Sequence, residues 1–102
     1  MDSMKRNGYL VPPILDTEKG VCYICKTHTD TAVHEIFYGT ANRKISKANG
    51  FYVHLCPTCH KQLHTNPECK YADYALKLAA QEVYLKTHSR EEFKKLIGRF
   101  YD

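Results

Sequence analysis

Two Cys-x-x-Cys pairs constrain the fold of this chain more than any other feature of its sequence. Cys22 and Cys25 form the first pair, Cys56 and Cys59 form the second, and residues 26 to 55 separate them. The two-residue spacer lets both sulfurs of a pair bind one ion at about 2.3 Å, and two such turns complete a tetrahedron. Because four thiolates leave the ion no open position, the pattern predicts a structural Zn²⁺ site.

Other uses of the cysteines fit the sequence less well. The chain has five cysteines, and Cys69 lies outside the paired pattern. An odd number in a chain without an export signal favours metal ligands over a disulfide framework. A redox Cys-x-x-Cys is typical of a βαβ context, which this sequence does not predict. At 102 residues the chain is near the lower end of what supports its own core, so a zinc site contributing about 10 kcal/mol would matter.

The first half of the chain predicts an arm followed by a β-hairpin. Residues 1–19 contain Pro12-Pro13, which disfavours a helix, and are expected to form an extended arm. Its apolar side chains are expected to pack on the domain: Tyr9, Leu10, Val11, Ile14 and Leu15. Residues 31–38 and 51–55 are rich in β-branched and aromatic side chains and predict two strands. A loop is expected over residues 39–50, because glycines bracket a segment with two asparagines.

The second half predicts three helices. The first is expected from near Pro57, which suits an initial helical turn, to about His64. The second carries apolar residues at helical spacing, namely Leu76, Ala79, Ala80, Val83 and Tyr84. The third follows a capping box that starts at Ser89 and carries Phe93, Leu96, Ile97 and Phe100. The chain thus reads as one α+β domain, residues 1–102, with a zinc-stabilised core over 20–66 and two C-terminal helices over 70–102.

Three histidines and a glutamate indicate a second metal site. His60 and His64 lie four residues apart on a predicted helix, so both project from one face and can bind one divalent cation. His34 and Glu35 lie on the strand expected opposite. Two helix histidines and one strand side chain leave positions open for water and a scissile phosphate, as a hydrolytic site requires. A strand histidine is also suited to deprotonate the attacking water.

The charge distribution favours a polyanionic partner. The formal net charge is +4, and no Asp or Glu occurs from Ile36 to Pro67. The same stretch holds four basic residues, Arg43, Lys44, Lys47 and Lys61, which are expected to contact DNA phosphates. No apolar run approaches the roughly 20 residues of a membrane span, and prolines interrupt the N-terminal segment where a signal peptide would lie. A soluble, cytoplasmic protein without a membrane partner is expected.

The run from Cys22 to His64 resembles an HNH (His-Me finger) endonuclease of the ββα-metal type. In particular, HEIFYGTANRKIS with LCPTCHKQLH is similar to small phage-encoded HNH proteins. This resemblance implies hydrolysis of DNA phosphodiester bonds with Mg²⁺ or another divalent cation. It also implies that His60 and His64 bind the catalytic metal and that His34 acts as the base.

The residues depart from the HNH pattern at two points. Many HNH strands carry Asp-His or His-His, in which the first residue binds metal and the second is the base. Here the pair is His34-Glu35, so His34 is either the base or a metal ligand, and Glu35 is a second catalytic candidate. For the middle asparagine of the family, the nearest candidates are Asn49 and, in the loop, Asn42.

A different class of function also fits the sequence. A zinc-stabilised module could bind nucleic acid or a protein partner without cutting anything, and the substitution at Glu35 favours that alternative. The apolar stripes of the two C-terminal helices are most simply core, but they also suit a protein partner or a second copy of the chain.

Overall fold

The computed structural model describes residues 11–39 and 41–102, and this part holds a two-stranded sheet and four α-helices. Strands β1 (Ala32–Glu35) and β2 (Tyr52–Leu55) pair antiparallel, with His34 opposite Val53. The helices are α1 (Asn42–Asn49), α2 (Pro57–Thr65), α3 (Lys70–Tyr84) and α4 (Arg90–Ile97). A 3-10 turn (Pro67–Cys69) joins α2 to α3. The predicted α+β class is confirmed.

The segment between the strands is a helix, so the prediction of a loop over residues 39–50 is wrong for most of its length. The N–H of Gly50, which has a φ of 76°, donates to the Ser46 carbonyl and ends α1. Ser46 is fully buried; its hydroxyl donates to the Phe37 carbonyl at 2.6 Å and accepts from the Phe37 N–H at 3.1 Å. These bonds satisfy backbone groups just after β1 and hold α1 against the sheet.

The predicted α2 is confirmed, with its end one residue beyond the expected His64. Cys56 is the N-cap, and its sulfur accepts from the Cys59 N–H. Pro57 occupies the first helical position, where its missing N–H would have no partner in any case. The backbone N–H of Asn66 donates to the Gln62 carbonyl after the last turn.

The two C-terminal helices are confirmed and supply much of the core. Phe37, Phe51 and Phe93 are at most 1% exposed. The Phe37 ring centroid lies 5.2 Å from that of Phe51 and 5.6 Å from that of Phe93. Besides Phe93, four residues beyond residue 70 are buried in the same cluster: Leu76, Ala80, Ile97 and Tyr101.

Of the other predicted stripe residues, Tyr84, Leu96 and Phe100 pack against this cluster, whereas Ala79 and Val83 are half-buried and are not among its described members. Docking of a partner on these helices stays a prediction.

The capping box that opens α4 is also confirmed. The Ser89 hydroxyl accepts from the Glu92 N–H at 3.1 Å, and the Glu92 carboxylate accepts from the Ser89 N–H at 2.6 Å. Two N–H groups at the start of the helix thereby gain partners. Gly98, with a φ of 103°, ends the helix after Ile97, so the prediction that this helix carries Phe100 is wrong.

The described part of the N-terminal arm lies along α1 and β2; Ile14 and Leu15 pack against the core as predicted, whereas the predicted packing of Val11 is wrong, because this side chain is exposed. The N–H of Ile14 donates to the Gly50 carbonyl at 3.0 Å, and the Tyr52 hydroxyl donates to the Val11 carbonyl at 2.7 Å. Tyr9 and Leu10 lie outside the described residues. The arm passes so close to Gly50 that a Cβ atom there would lie 2.4 Å from the Pro12 carbonyl oxygen. Close approach of the arm thus requires glycine at this position.

We expect Gly50→Ala to destabilise the fold more than the matched variant Gly98→Ala. Both glycines end helices with a positive φ, so both changes carry a backbone cost of about 1 kcal/mol. An added Cβ at Gly98 would meet no atom of the described residues within 4 Å, whereas at Gly50 it meets the arm. An extra loss of about 1–3 kcal/mol at Gly50 is expected in urea unfolding. Equal losses would show that the arm moves aside without cost.

Candidate metal centres

The four paired cysteines converge on one point. Their sulfur atoms all lie within 4.8 Å of one another. The Cys25 and Cys56 sulfurs are 3.8 Å apart. A tetrahedral ion with Zn–S bonds of about 2.3 Å places its sulfurs about 3.8 Å apart. The predicted clustering of the four cysteines is confirmed, and their donor set and spacing are compatible with a structural Zn²⁺.

Backbone N–H groups point at the sulfurs of both pairs. The Cys25 N–H donates to the Cys22 sulfur at 3.5 Å, and the Cys59 N–H donates to the Cys56 sulfur at 3.4 Å. Such bonds favour the thiolate form, which is the form that binds metal. The Tyr23 N–H donates to the His54 carbonyl at 2.8 Å, so the first turn is tied to β2.

The acidities of the thiols are consistent with a site built for a cation. Burial raises the pKa of Cys22, but the backbone N–H groups of Cys56, Cys25 and Ile24 outweigh burial and lower this pKa to about 6. Burial, followed by the neighbouring thiols, raises the pKa of Cys59 above its ordinary value. The Cys22 thiol therefore loses its proton readily, whereas the Cys59 thiol holds its proton more tightly, because adjacent thiolates repel each other. A bound Zn²⁺ would offset this repulsion.

Three histidines form a second cluster. His34 on β1 and His60 and His64 on α2 bring ring nitrogens within 4.8 Å of one another. The ring centroid of His34 lies 5.3 Å from that of each helix histidine, and the two helix rings lie 4.9 Å apart. The predicted helical spacing of His60 and His64 thus places them on one face, opposite the strand histidine.

His34 is buried without a partner for its ring. It is 1% exposed, and within the described part of the chain neither Nδ1 nor Nε2 has a hydrogen-bond partner. Burying a polar group in this way costs about 1–3 kcal/mol. Burial, followed by the nearby His60 and His64, lowers the pKa of His34 to about 4. The ring is therefore neutral at pH 7, and a neutral imidazole binds a metal through one nitrogen.

The donor set indicates which ion would fit. Three imidazole nitrogens suit a transition-metal ion such as Zn²⁺ or Ni²⁺, whereas Mg²⁺ prefers oxygen ligands in octahedral geometry. The expected Mg²⁺ is therefore the less suitable ion for this cluster. Three protein ligands are also the number typical of catalytic zinc sites, which keep a further position open. His64 is exposed, so the open side of the cluster faces solvent.

Two predicted catalytic residues lie outside this cluster. Neighbouring residues of a strand point to opposite faces, and the Glu35 carboxylate lies 3.8 Å from the Lys47 amine. The Asn49 side chain donates to the Ile45 carbonyl of its own helix at 2.8 Å. The other asparagine candidate, Asn42, donates to the Ile97 carbonyl at 3.1 Å. The catalytic roles of Glu35 and Asn49 stay predictions.

The predicted phosphate-contacting residues lie on two helices. Arg43 and Lys44 are exposed near the start of α1, where the sequence had suggested a loop. Lys61 is exposed on α2 beside His60. Lys47 is half-buried beside Glu35. Their contact with DNA stays a prediction.

Sequence reasoning missed a polar network next to the histidines. The Tyr38 hydroxyl donates to the Asp73 carboxylate at 2.9 Å, and Asp73 also forms a salt bridge with Lys77. The Tyr38 ring centroid lies 5.9 Å from that of His64. Burial, followed by Asp73, raises the pKa of Tyr38 to about 12, so the hydroxyl stays protonated as a donor. The spacing of Asp73 and Lys77, four residues apart on one helix, is the signal that could have revealed the pair.

Comparisons with protein-family models, curated proteins and solved structures return no match for this chain. Its function is therefore inferred from the geometry of the two clusters. Among the described helices, none combines the length and the apolar character that a membrane span requires.

We expect Cys56→Ser to lose zinc and much of the fold, because Cys56 is both a cluster member and the N-cap of α2. Structural zinc sites contribute about 10 kcal/mol to folding, which is as large as the stability of a typical small domain. Zinc per chain and far-ultraviolet circular dichroism measure the two effects. Cys69→Ser is the matched control, because Cys69 lies outside both clusters, and it should retain zinc. Full zinc content in Cys56→Ser would contradict the four-cysteine assignment.

The ion-free histidine cluster should make stability depend on pH. His34 has a pKa of about 4 in the folded chain and about 6.5 when unfolded. Below pH about 6.5 the unfolded chain therefore binds a proton that the folded chain rejects. The free energy of unfolding should fall as the pH drops to about 4, by a total of about 3 kcal/mol. Urea unfolding of wild type and His34→Gln, after a chelator that spares the cysteine-bound zinc, isolates this term. Parallel pH profiles for the two proteins would contradict it.

Proposed function

We propose that this protein is a metal-dependent endonuclease of the HNH type that hydrolyses DNA phosphodiester bonds. One observation carries the proposal. The ring of buried His34 has no hydrogen-bond partner in the described structure, and one of its nitrogens lies within 4.8 Å of a ring nitrogen of His60 and of His64, close enough for all three to bind one ion. A three-ligand cluster with one solvent-facing member has room for water and a phosphate. The closed four-cysteine cluster has no such room.

The arrangement of elements supports the same proposal. Strands β1 and β2 form an antiparallel pair, and α2 follows β2 directly with its histidines facing β1. Two strands and a helix that together hold one cation are the parts of a ββα-metal finger. In this proposal α1 replaces the loop that joins the two strands.

In this proposal the three histidines and the basic residues have separate roles. His60 and His64 would hold a divalent cation from α2, and that cation would supply Lewis-acid stabilisation of charge on the phosphoryl group. His34 has two candidate roles, third ligand or base, and its nitrogen's place within the same 4.8 Å cluster favours the ligand role. Arg43, Lys44 and Lys61 supply positive charge for flanking phosphates.

A non-catalytic zinc-stabilised binding module is the second candidate. Glu35 and Asn49 favour it, because neither belongs to the histidine cluster: Glu35 pairs with Lys47, and Asn49 donates to the Ile45 carbonyl. In that case the protein binds nucleic acid in a salt-sensitive way without hydrolysing it.

We expect wild-type protein to nick supercoiled plasmid and the His34→Ala and His60→Ala variants to be slower by about a hundredfold or more. The exposed His28, outside the cluster, provides the matched control His28→Ala, which should nick like wild type. The assay uses Zn²⁺, Ni²⁺, Mn²⁺ and Mg²⁺ in turn, and every variant must retain its cysteine-bound zinc. A wild type that binds plasmid but nicks with none of these ions would contradict the endonuclease proposal.

Calorimetric titration with Ni²⁺ separates the two roles of His34. If His34 is a ligand, His34→Ala should bind Ni²⁺ at least tenfold more weakly than wild type, as His60→Ala should. If His34 is the base, His34→Ala should bind Ni²⁺ normally and still fail to nick.

A further inference from the structure

A groove leads away from the three histidines along α3. Its first part is a cavity of about 280 Å³ that His64 and Asn66 help to line. Its second part is a cavity of about 330 Å³ that Lys77 and Arg99 help to line. Three residues line both cavities, namely Tyr38, Lys70 and Asp73. The two cavities therefore adjoin at these shared residues and together make up the groove, whose first part begins at His64 of the histidine cluster.

The walls of the groove are mainly cationic. Lys70, Lys77 and Arg99 supply three positive charges, and Asp73 is the one carboxylate among the described lining residues. Asp102, whose backbone oxygen accepts from the Tyr74 hydroxyl, brings a second carboxylate near the edge. Three cations then face two side-chain carboxylates. The groove therefore attracts an anion.

The three cationic side chains of the groove differ in how readily they can contact a ligand. Lys77 is 9% exposed, forms a salt bridge with Asp73, and has its amine 4.2 Å above the Tyr38 ring. Its charge is therefore already paired within the groove wall.

Lys70 and Arg99 are exposed, and in the described part of the chain neither forms a salt bridge. The Lys70 amine lies 5.4 Å from the Tyr71 ring centroid, and the Arg99 guanidinium carbon lies 4.4 Å from the Tyr101 ring centroid. Because ring contacts leave both charges without a carboxylate partner, these two side chains are the ones able to contact a ligand's phosphates.

Tyr38 forms the wall between the histidines and the two available cations. The residue is 41% exposed although Asp73 holds its hydroxyl and the Lys77 amine lies above its ring, so a partly open aromatic surface stands in a fixed position. Exposed aromatic rings next to cations are typical of surfaces that bind unstacked nucleotides. The ring centroid of Tyr38 lies 5.9 Å from that of His64 and 6.3 Å from that of His34.

We propose that this groove binds the nucleic-acid strand next to the scissile phosphate, with Lys70 and Arg99 on its phosphates and Tyr38 against a sugar or base. The identity of the ligand rests on the proposed nuclease function. A strand whose scissile phosphate lies at the three histidines must continue over the adjoining surface, and the groove begins there. Lys70 and Arg99 come together only in the folded chain, and neither was among the basic residues that the sequence singled out.

The test compares the salt dependence of binding for two double variants. Lys70→Gln/Arg99→Gln removes the two available cations, and Lys86→Gln/Lys95→Gln removes two exposed lysines that do not line the groove. Both variants lose the same net charge. Fluorescence anisotropy of a labelled oligonucleotide, as a duplex and as a single strand, is measured without added divalent cation. Zinc content and circular dichroism confirm that each variant is folded.

We expect the groove variant to lower the slope of log K against log salt by about 2 relative to wild type, because each lost phosphate contact removes nearly one unit. The control should lower it by much less. Equal slopes for the two variants would contradict strand binding in the groove, as would a wild type that binds neither oligonucleotide. A reduced slope with no plasmid nicking by wild type would overturn the nuclease function alone, while nicking with an unchanged slope would overturn the groove alone.

Discussion

Four cysteine sulfurs within 4.8 Å of one another repel once they lose their protons, and a cation between them makes the arrangement favourable. The rest of the described fold is built around this constraint. The cluster joins the turn at Cys22 to the start of α2, and the bond from the Tyr23 N–H to the His54 carbonyl fixes the same turn to β2. The orientation of α2 relative to β1 follows, and with it the meeting of His34 with the helix histidines.

Sequence patterns predicted the elements whose signals are local. Cys-x-x-Cys spacing, the proline at the start of α2, the capping box at Ser89 and the apolar stripe of α3 each depend on residues a few positions apart. Helix α1 was missed because its glycines and asparagines suggested a loop, although Gly50 directly after it is a common helix-ending signal. An eight-residue helix is marginal by itself, and the buried Ser46 bonds to Phe37 that hold it are tertiary contacts.

Part of the candidate site could likewise be predicted from local spacing, and part could not. The helical spacing of His60 and His64 was sufficient to place both on one face of α2. Whether His34 or Glu35 meets them could not be decided from the residues alone, because a shift of one residue in strand register reverses every side chain. The Tyr38–Asp73–Lys77 network and the groove beside it join residues from β1's end, α3 and the C-terminus. No short window of sequence contains them together.

Cys59 and His60 are neighbours in the chain, yet they belong to two different clusters. A single helical turn therefore contributes to two clusters, one that four sulfurs would close around an ion and one with a solvent-facing histidine. If each cluster binds an ion, the two affinities are coupled by the same factor in both directions, because both sets of ligands depend on the position of α2. On the proposed function, loss of zinc from the cysteines would therefore also weaken ion binding at the histidines, with every histidine intact.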